Sequence, residues 1–394
     1  MQRPVWISLF IIVLLAVALR FYQLGRAPLW LDEQLQFAVA AQPTLGGVLS
    51  TAPDKGPVGP VGFVCDSIAL RLFGAARSSM RVSSALFGVG SVVAIFFLGQ
   101  RWFSTGTGLF AAAMLAVSGL AVQFSREARP YSALVFAALL LALTFDFAVR
   151  PRETSPSMRA PRLLLLVLSS MFICLVHPLA LVVFAGLGLG TAVSLFAKAS
   201  EEATFKSALA GALAFLAGGG MAYAFWWRLV PNVPFMPPES THSLLFDLID
   251  IYKALLGGYW GAASYAVALA LAFSTVAAVR EKTWRWGFCL CAGVALLGLA
   301  PILASHARSM NVLPRYSLFA MPFLFLLAGA GFDHALRWMA RCGADRARGD
   351  RLVAIAAPGL CGILLICMIL SGRSIYDLEA KKYSSDRYPT LEQP

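Results

Sequence analysis

The chain has 394 residues, 59% of them hydrophobic and only 13% charged, with a mean hydropathy of +0.74. Soluble domains run near 45–50% apolar and about 25% charged, so composition excludes an ordinary soluble domain and points to a membrane protein. The net charge of +12 then reads first as a topology signal with attraction to anionic lipid, and a nucleic-acid role is set aside.

Taken in chain order, apolar runs predict spans near 5–24, 82–99, 107–124, 131–149, 163–176, 179–197, 207–227, 261–279, 286–304, 316–333 and 352–371. That is about eleven spans, each close to the length a bilayer demands. The stretch 163–197 is divided at His177-Pro178, because proline disfavours helix continuation. The first span runs directly into an acidic loop without a small-residue cleavage site and reads as an anchor. Arg150, Arg152, Arg159, Arg162, Lys198, Lys206, Arg280, Lys282 and Arg285 fall in short loops on one side. The positive-inside rule makes that side cytoplasmic and the N-terminus with it.

The opposite, outer side carries two long loops. Residues 25–81 read as a short helix "LDEQLQFAVAA", a Gly/Pro-rich turn "TAPDKGPVGPVG" and an amphipathic helix "FVCDSIALRLFG" suited to lying on the membrane surface. Residues 228–260 read as a second loop with interfacial aromatics, and 372–394 as a short outer tail. Residues 1–371 form one transmembrane unit, without internal repeats. Of the seven cysteines only Cys65 lies in an outer loop, so no disulfide framework is expected. Cys289 and Cys291, on an apolar span, read as core residues.

Charged clusters gather at the outer surface: Asp32-Glu33, Asp54-Lys55, Arg126 with Glu127 and Arg129 in "FSREARPYS", and Arg308 with Arg315 in "ARSMNVLPRYS". Taken singly, each reads as a solvated or snorkelling end. Together they place acids and bases at one membrane face, where ionisable groups need partners or a role. A lipid-phosphate-linked sugar would present its phosphate there. Its transfer needs cations for the departing phosphate and one carboxylate to take the proton of an attacking hydroxyl. Glycoside hydrolysis instead needs two carboxylates flanking the bond.

The series "PLWLDEQ", "DKGPVGPVGFVCDSIALRLFG", "SMRVSSALFGVGSVVAIFFLGQRWF", "VQFSREARPYSALV" and "LPRYSLFAMPFLFLLAG" resembles the family-39 glycosyltransferases. That family includes bacterial protein O-mannosyltransferases and the aminoarabinose transferase of lipid A modification. The resemblance covers residues 5–150 well and 300–333 more thinly. It implies an all-α polytopic GT-C-type bundle and a polyprenyl-phosphate sugar as donor. It implies catalysis on the periplasmic side of a bacterial inner membrane, with membrane lipids and a hydroxyl acceptor (protein, lipid or cell-envelope glycan) as partners.

Residue by residue, the resemblance implies Asp32 as general base and Glu33 orienting it or the acceptor. Arg129, Arg315 and Lys55 become phosphate contacts, and Asp54, Arg126, Glu127, Tyr131, His177, Arg308 and Tyr316 further members of the site. The run "DKGPVGP" departs from the "HPPLYY"-like run of the relatives. His306 is a weaker candidate beside Arg308, while His242 and His334 read as surface residues. No cofactor is required. Some GT-C relatives use a divalent ion at the acidic motif, but the dispersed outer acids do not specify ligands. The alternative from another class is a transporter or flippase of a lipid-linked sugar. It would want charges near the bilayer midplane and related halves.

Overall fold

The computed structural model describes residues 3–55, 58–150, 158–199, 203–230, 243–244, 248–249, 251, 255, 261–307 and 314–342. Among them the secondary structure is helical. The expected span 352–371, the tail 372–394, Arg308 and most of the 228–260 loop lie outside the described residues.

The first span is α1, Arg3–Phe21. It lies at the periphery, with Ile7, Phe10, Ile11 and Leu14 exposed, as a lipid-facing helix should. The outer loop that follows folds into α2 (Leu31–Ala40), α3 (Leu45–Thr51), a 3-10 turn at Ala52–Lys55 and α4 (Pro60–Phe73). Helix α3 was not expected. Its "LGGVLST" has poor helix propensity, but Thr44 caps it by accepting from Gly47 N at 3.0 Å. Helix α4 opens with proline at its first position, which is already shaped for a helix start.

The bundle continues with α5 (Arg77–Trp102), α6 (Thr105–Val117), α7 (Gly119–Ser125), α8 (Tyr131–Val149), α9 (Arg159–Val176), α10 (Ala180–Phe196) and α11 (Phe205–Phe225). It ends with α12 (Gly261–Arg280), α13 (Arg285–Leu297), α14 (Ala300–Ala307), a 3-10 segment at Pro314–Ala320 and α15 (Met321–Cys342). The break at His177-Pro178 is present: α9 ends at Val176 and α10 starts at Ala180. The single span expected at 107–124 is bent by 62° between α6 and α7. Ser118 sits at the corner, and its hydroxyl accepts from Ala121 N. The carbonyls of Leu115 and Ala116 near the end of α6 take hydrogen bonds from Arg20 at 3.0 Å each. The arginine inside the first span is thus committed to the corner.

Seven described helices are long and apolar enough to cross a membrane, eight if the bent pair is one span. Two further apolar stretches, 180–196 and 267–280, are shorter. The chain is a multi-pass membrane protein. The core lies between α5, α8 and α15, where Phe96, Leu98, Leu139, Phe323 and Phe325 are fully buried. Helices α10 and α13 approach along glycines: a Cβ on Gly190 would lie 2.5 Å from Cys289 O, and one on Gly293 2.3 Å from Gly186 O. His334, expected at the surface, is buried beside Trp284, with Glu281 at 3.9 Å. Helix α15 continues to Cys342, past the span end expected at 333, so His334 lies within the helix.

Candidate functional site

The site forms where the C-terminal end of α1, helix α2, the turn 126–130, the α9–α10 break and the segment from Pro314 converge. Helix α2 begins after Pro28, with Asp32 and Glu33 in its first turn. Acids there meet the positive end of the helix dipole. Successive positions point in different directions, so the two carboxylates part company.

Glu33 turns inward and is fully buried. Its Oε1 accepts from Arg81 Nε and from Ala128 N, both at 2.8 Å, and its Oε2 from Arg81 Nη2 at 2.6 Å. Arg81 in turn donates to the carbonyls of Leu24, Ala27 and Pro28, each at 3.0 Å. A bidentate guanidinium–carboxylate pair of this kind fixes planes as well as distances. The pair ties the loop before α2, the first turn of α2 and the 126–130 turn to the start of α5.

Asp32 stays partly open, with a quarter of its side chain exposed. Arg129 Nη2 lies 3.4 Å and Arg315 Nη1 3.7 Å from its Oδ2. One carboxylate therefore faces two guanidinium groups. The Nε donors of Arg129 and Arg315 are buried with no acceptor among the described residues. Unsatisfied buried donors carry a desolvation cost until something accepts from them. Arg315 also lies against the rings of Tyr131 and Tyr316, at 5.7 and 5.6 Å from their centroids.

Tyr131 is buried, its ring 5.9 Å from that of His177. His177, at the α9–α10 break, accepts from Leu179 N on its Nδ1 at 3.2 Å. Burial first, and then the charges of Arg129 and Arg315, hold its pKa down to about 3. Its imidazole is neutral at ordinary pH. Positions 32, 129, 131, 177, 315 and 316, distant in sequence, thus share one site.

Other expected members stand apart. Arg126 donates to the carbonyls of Arg20 and Tyr22, at 3.2 and 2.7 Å, and so caps the end of α1. Glu127 is buried and accepts from Gln123 Nε2 at 3.2 Å. Asp54 and Lys55 are exposed at the end of their 3-10 turn, without a hydrogen bond or ion pair among the described residues. The strap after them is clamped to the bundle: Gly59 N donates to Val176 O at 3.2 Å, and Trp226 Nε1 to Val58 O at 3.2 Å. A Cβ on Gly59 would sit 1.8 Å from Leu175 O, so only glycine fits this approach. No three His, Cys, Asp or Glu side chains converge to hold a metal among the described residues.

Two residues were not anticipated from the sequence. Arg81 is the last residue of the 25–81 loop, adjoining the span expected at 82–99. Asp66, a polar residue of the amphipathic helix α4, is buried, accepting from Gln36 Nε2 at 2.9 Å and from Ser83 Oγ. The exposed residues of α4 are Ile68, Arg71, Leu72 and Phe73, while Phe63 and Leu70 are buried together with Asp66 and Ser67. At a membrane surface the outward face of such a helix can carry apolar side chains.

Residues 55–218 match the dolichyl-phosphate-mannose-protein mannosyltransferase family. No curated protein matches the chain. Among solved structures, ArnT from Cupriavidus metallidurans bound to undecaprenyl phosphate is similar with a TM-score of 0.66 at 15% identity, covering 97% of this chain and 77% of ArnT. Its apo form is similar with a TM-score of 0.65. The oligosaccharyltransferase AglB from Archaeoglobus fulgidus, in complex with an inhibitory peptide and a dolichol-phosphate, has a TM-score of 0.63 at 13% identity. That likeness covers 100% of this chain and 61% of AglB. The chain has the GT-C-type fold of these membrane proteins, and the resemblance read from its motifs holds for both the matched segment and the fold.

Proposed function

We propose that the protein is a glycosyltransferase that moves a hexosyl or pentosyl group from a polyprenyl-phosphate-linked donor to a hydroxyl acceptor at the outer, periplasmic membrane face. Asp32 takes the proton of the acceptor hydroxyl as the oxygen attacks the anomeric carbon. The bond from that carbon to the donor phosphate breaks, and polyprenyl phosphate leaves. Arg129 and Arg315 receive the charge that develops on the phosphate, and Lys55 approaches it from the strap. Glu33 positions Asp32.

The observation that carries this reading is the imbalance around Asp32: two guanidinium groups, each with a buried Nε donor that finds no acceptor among the described residues, against one carboxylate with a quarter of its side chain exposed. An anion at this place would accept from both donors and neutralise the excess charge, the preorganised arrangement that stabilises a departing phosphate. The relatives support the ligand class: the ArnT structure holds undecaprenyl phosphate and the AglB structure a dolichol-phosphate. The matched family transfers mannose from a dolichyl phosphate, as its description states.

The transport alternative calls for charges lining a path through the membrane. Arg20 and Asp146, the charges it could draw on, are held by backbone carbonyls and by Arg101, Arg150 and Trp286 respectively. The deciding experiment follows release of free polyprenyl phosphate from a panel of polyprenyl-phosphate sugars, with membrane extract supplying acceptors. Wild type should release it from at least one donor, and Asp32→Asn from none. Release by Asp32→Asn at the wild-type rate would remove Asp32 from the mechanism. Binding without release by wild type would move the assignment to transport.

A further inference from the structure

Asp66 is a buried carboxylate at the site end, held by two neutral side chains and without a direct ion pair among the described residues. Its two oxygens point to different elements. Oδ2 accepts from Gln36 Nε2 on α2, and Oδ1 from Ser83 Oγ on α5. The other side-chain atom of Gln36, Oε1, is buried without a partner among the described residues, so among them Asp66 is what holds this amide. Gln36 lies four residues after Asp32, one turn further along the same face of α2. On the α5 side, Ser83 adjoins Ser84, whose hydroxyl donates to Arg129 O at 3.3 Å. The two bonds of Asp66 thus reach the segments that carry Asp32 and Arg129.

We propose that Asp66 is a positioning residue, a protonation-dependent latch through which α4 holds the Asp32-bearing turn of α2 against α5 and the Arg129 turn. As a device for transfer it rests on the glycosyltransferase reading; as a latch it stands on the contacts alone. The charged and titratable groups around it are few. Glu33 on α2 is already paired with Arg81, Arg129 stands beyond, Cys65 is its neighbour on α4, Cys174 is the titratable group at the near end of α9, and α3 has none.

Burial raises the pKa of Asp66 to about 7 against an ordinary value of 3.8. Glu33 adds to the rise, while the hydrogen bonds from Ser83 and Gln36 and the charge of Arg129 oppose it. A carboxyl whose folded pKa is raised contributes stability that is present below its unfolded value and lost as pH climbs through the folded value. The latch is therefore tight in acid and loosens as pH passes neutrality. Asparagine imitates the protonated form: its carbonyl accepts from Gln36 and its amide donates to Ser83.

Backbone hydrogen exchange over residues 31–40, corrected for the intrinsic pH effect, is measured on either side of neutral pH for the full-length wild type and Asp66→Asn. Polyprenyl phosphate release is followed in parallel. The wild type should exchange faster on the alkaline side and lose release across the same range, whereas Asp66→Asn should show neither change. If Asp66→Asn does not fold, Gln36→Met removes the α2 arm alone; it should lower release about fivefold, the worth of one neutral hydrogen bond, and abolish the pH dependence of exchange. The same pH dependence of exchange in wild type and variant would overturn the latch. A latch visible in exchange, with no release from any donor, would sustain the latch and overturn the transferase reading instead.

Discussion

The two ends of the bundle both carry buried charge, and they handle it differently. At the end opposite the site, Asp146 is almost wholly buried, with 1% of its side chain exposed. It is paired with Arg101 and lies 3.6 Å from Arg150, and it accepts from Trp286 Nε1 at 2.8 Å. The guanidinium groups of Arg101 and Arg150 are covered in turn by the rings of Phe147 and Trp286. At the site end Asp32 is 25% exposed, its two arginines stand at 3.4 and 3.7 Å, and the Nε of each finds no acceptor among the described residues. Charge with every partner in place is a joint. Charge held in place with donors to spare is a receptor.

The widest break in that comparison is Asp32→Asn. Loss of a general base costs about 10²–10⁴-fold in rate, and the variant should unfold at nearly the same temperature as wild type because Asp32 is partly exposed and its two arginines stand no closer than 3.4 Å. Asp146→Asn should do the reverse. Breaking a buried ion pair costs about 3–5 kcal/mol, so thermal unfolding in detergent should fall sharply, while the molecules that remain folded keep their transfer rate. Glu33→Gln belongs with Asp146 by this logic, although it lies beside Asp32 in sequence. It should lose stability on the same scale, and rate only as far as the turn of α2 moves. A Glu33→Gln variant with full stability and no activity would make Glu33 a participant in the chemistry.

The arginines give the next effect. Arg129→Lys and Arg315→Lys keep the charge but lose the planar fork, and each should weaken polyprenyl phosphate binding about tenfold. Arg101→Lys at the far end should leave that affinity unchanged. Titration of the purified variants with polyprenyl phosphate measures both.

The sequence disclosed one side of this contrast better than the other. Asp32, Arg129 and Arg315 were legible because each interrupts an apolar run at its outer end, where a charge needs a reason. The roles of Arg81 and Asp66 were hidden for one physical cause. A period of 3.6 shows that a helix has two faces but not which of them meets the protein. In water the apolar face turns inward, whereas α4 buries Asp66 and Ser67 beside Phe63 and Leu70 and turns Ile68, Leu72 and Phe73 outward. The corner between α6 and α7 was hidden because 107–124 is apolar throughout, with only Ser118-Gly119 to mark it. The split at 163–197 was legible because proline cannot continue a helix, and His177 reaches the site through that break.

Lys55 gives the smallest effect and the sharpest test of where the site ends. It is exposed, with no ion pair among the described residues, on a turn just before the strap that Gly59 and Trp226 fasten to α9 and α11. Removing it should leave stability within about 0.5 kcal/mol, as at most surface positions. If it meets the donor phosphate from the strap, Lys55→Ala should raise KM for the donor a few-fold with kcat unchanged, because contact made equally in ground and transition states affects binding alone. A fall in kcat would place Lys55 inside the developing charge with Arg129 and Arg315, and extend the receptor end of the bundle to include the strap. No change in either constant would leave the strap outside it, and the departure of "DKGPVGP" from the relatives' run would then mark a segment released from donor binding.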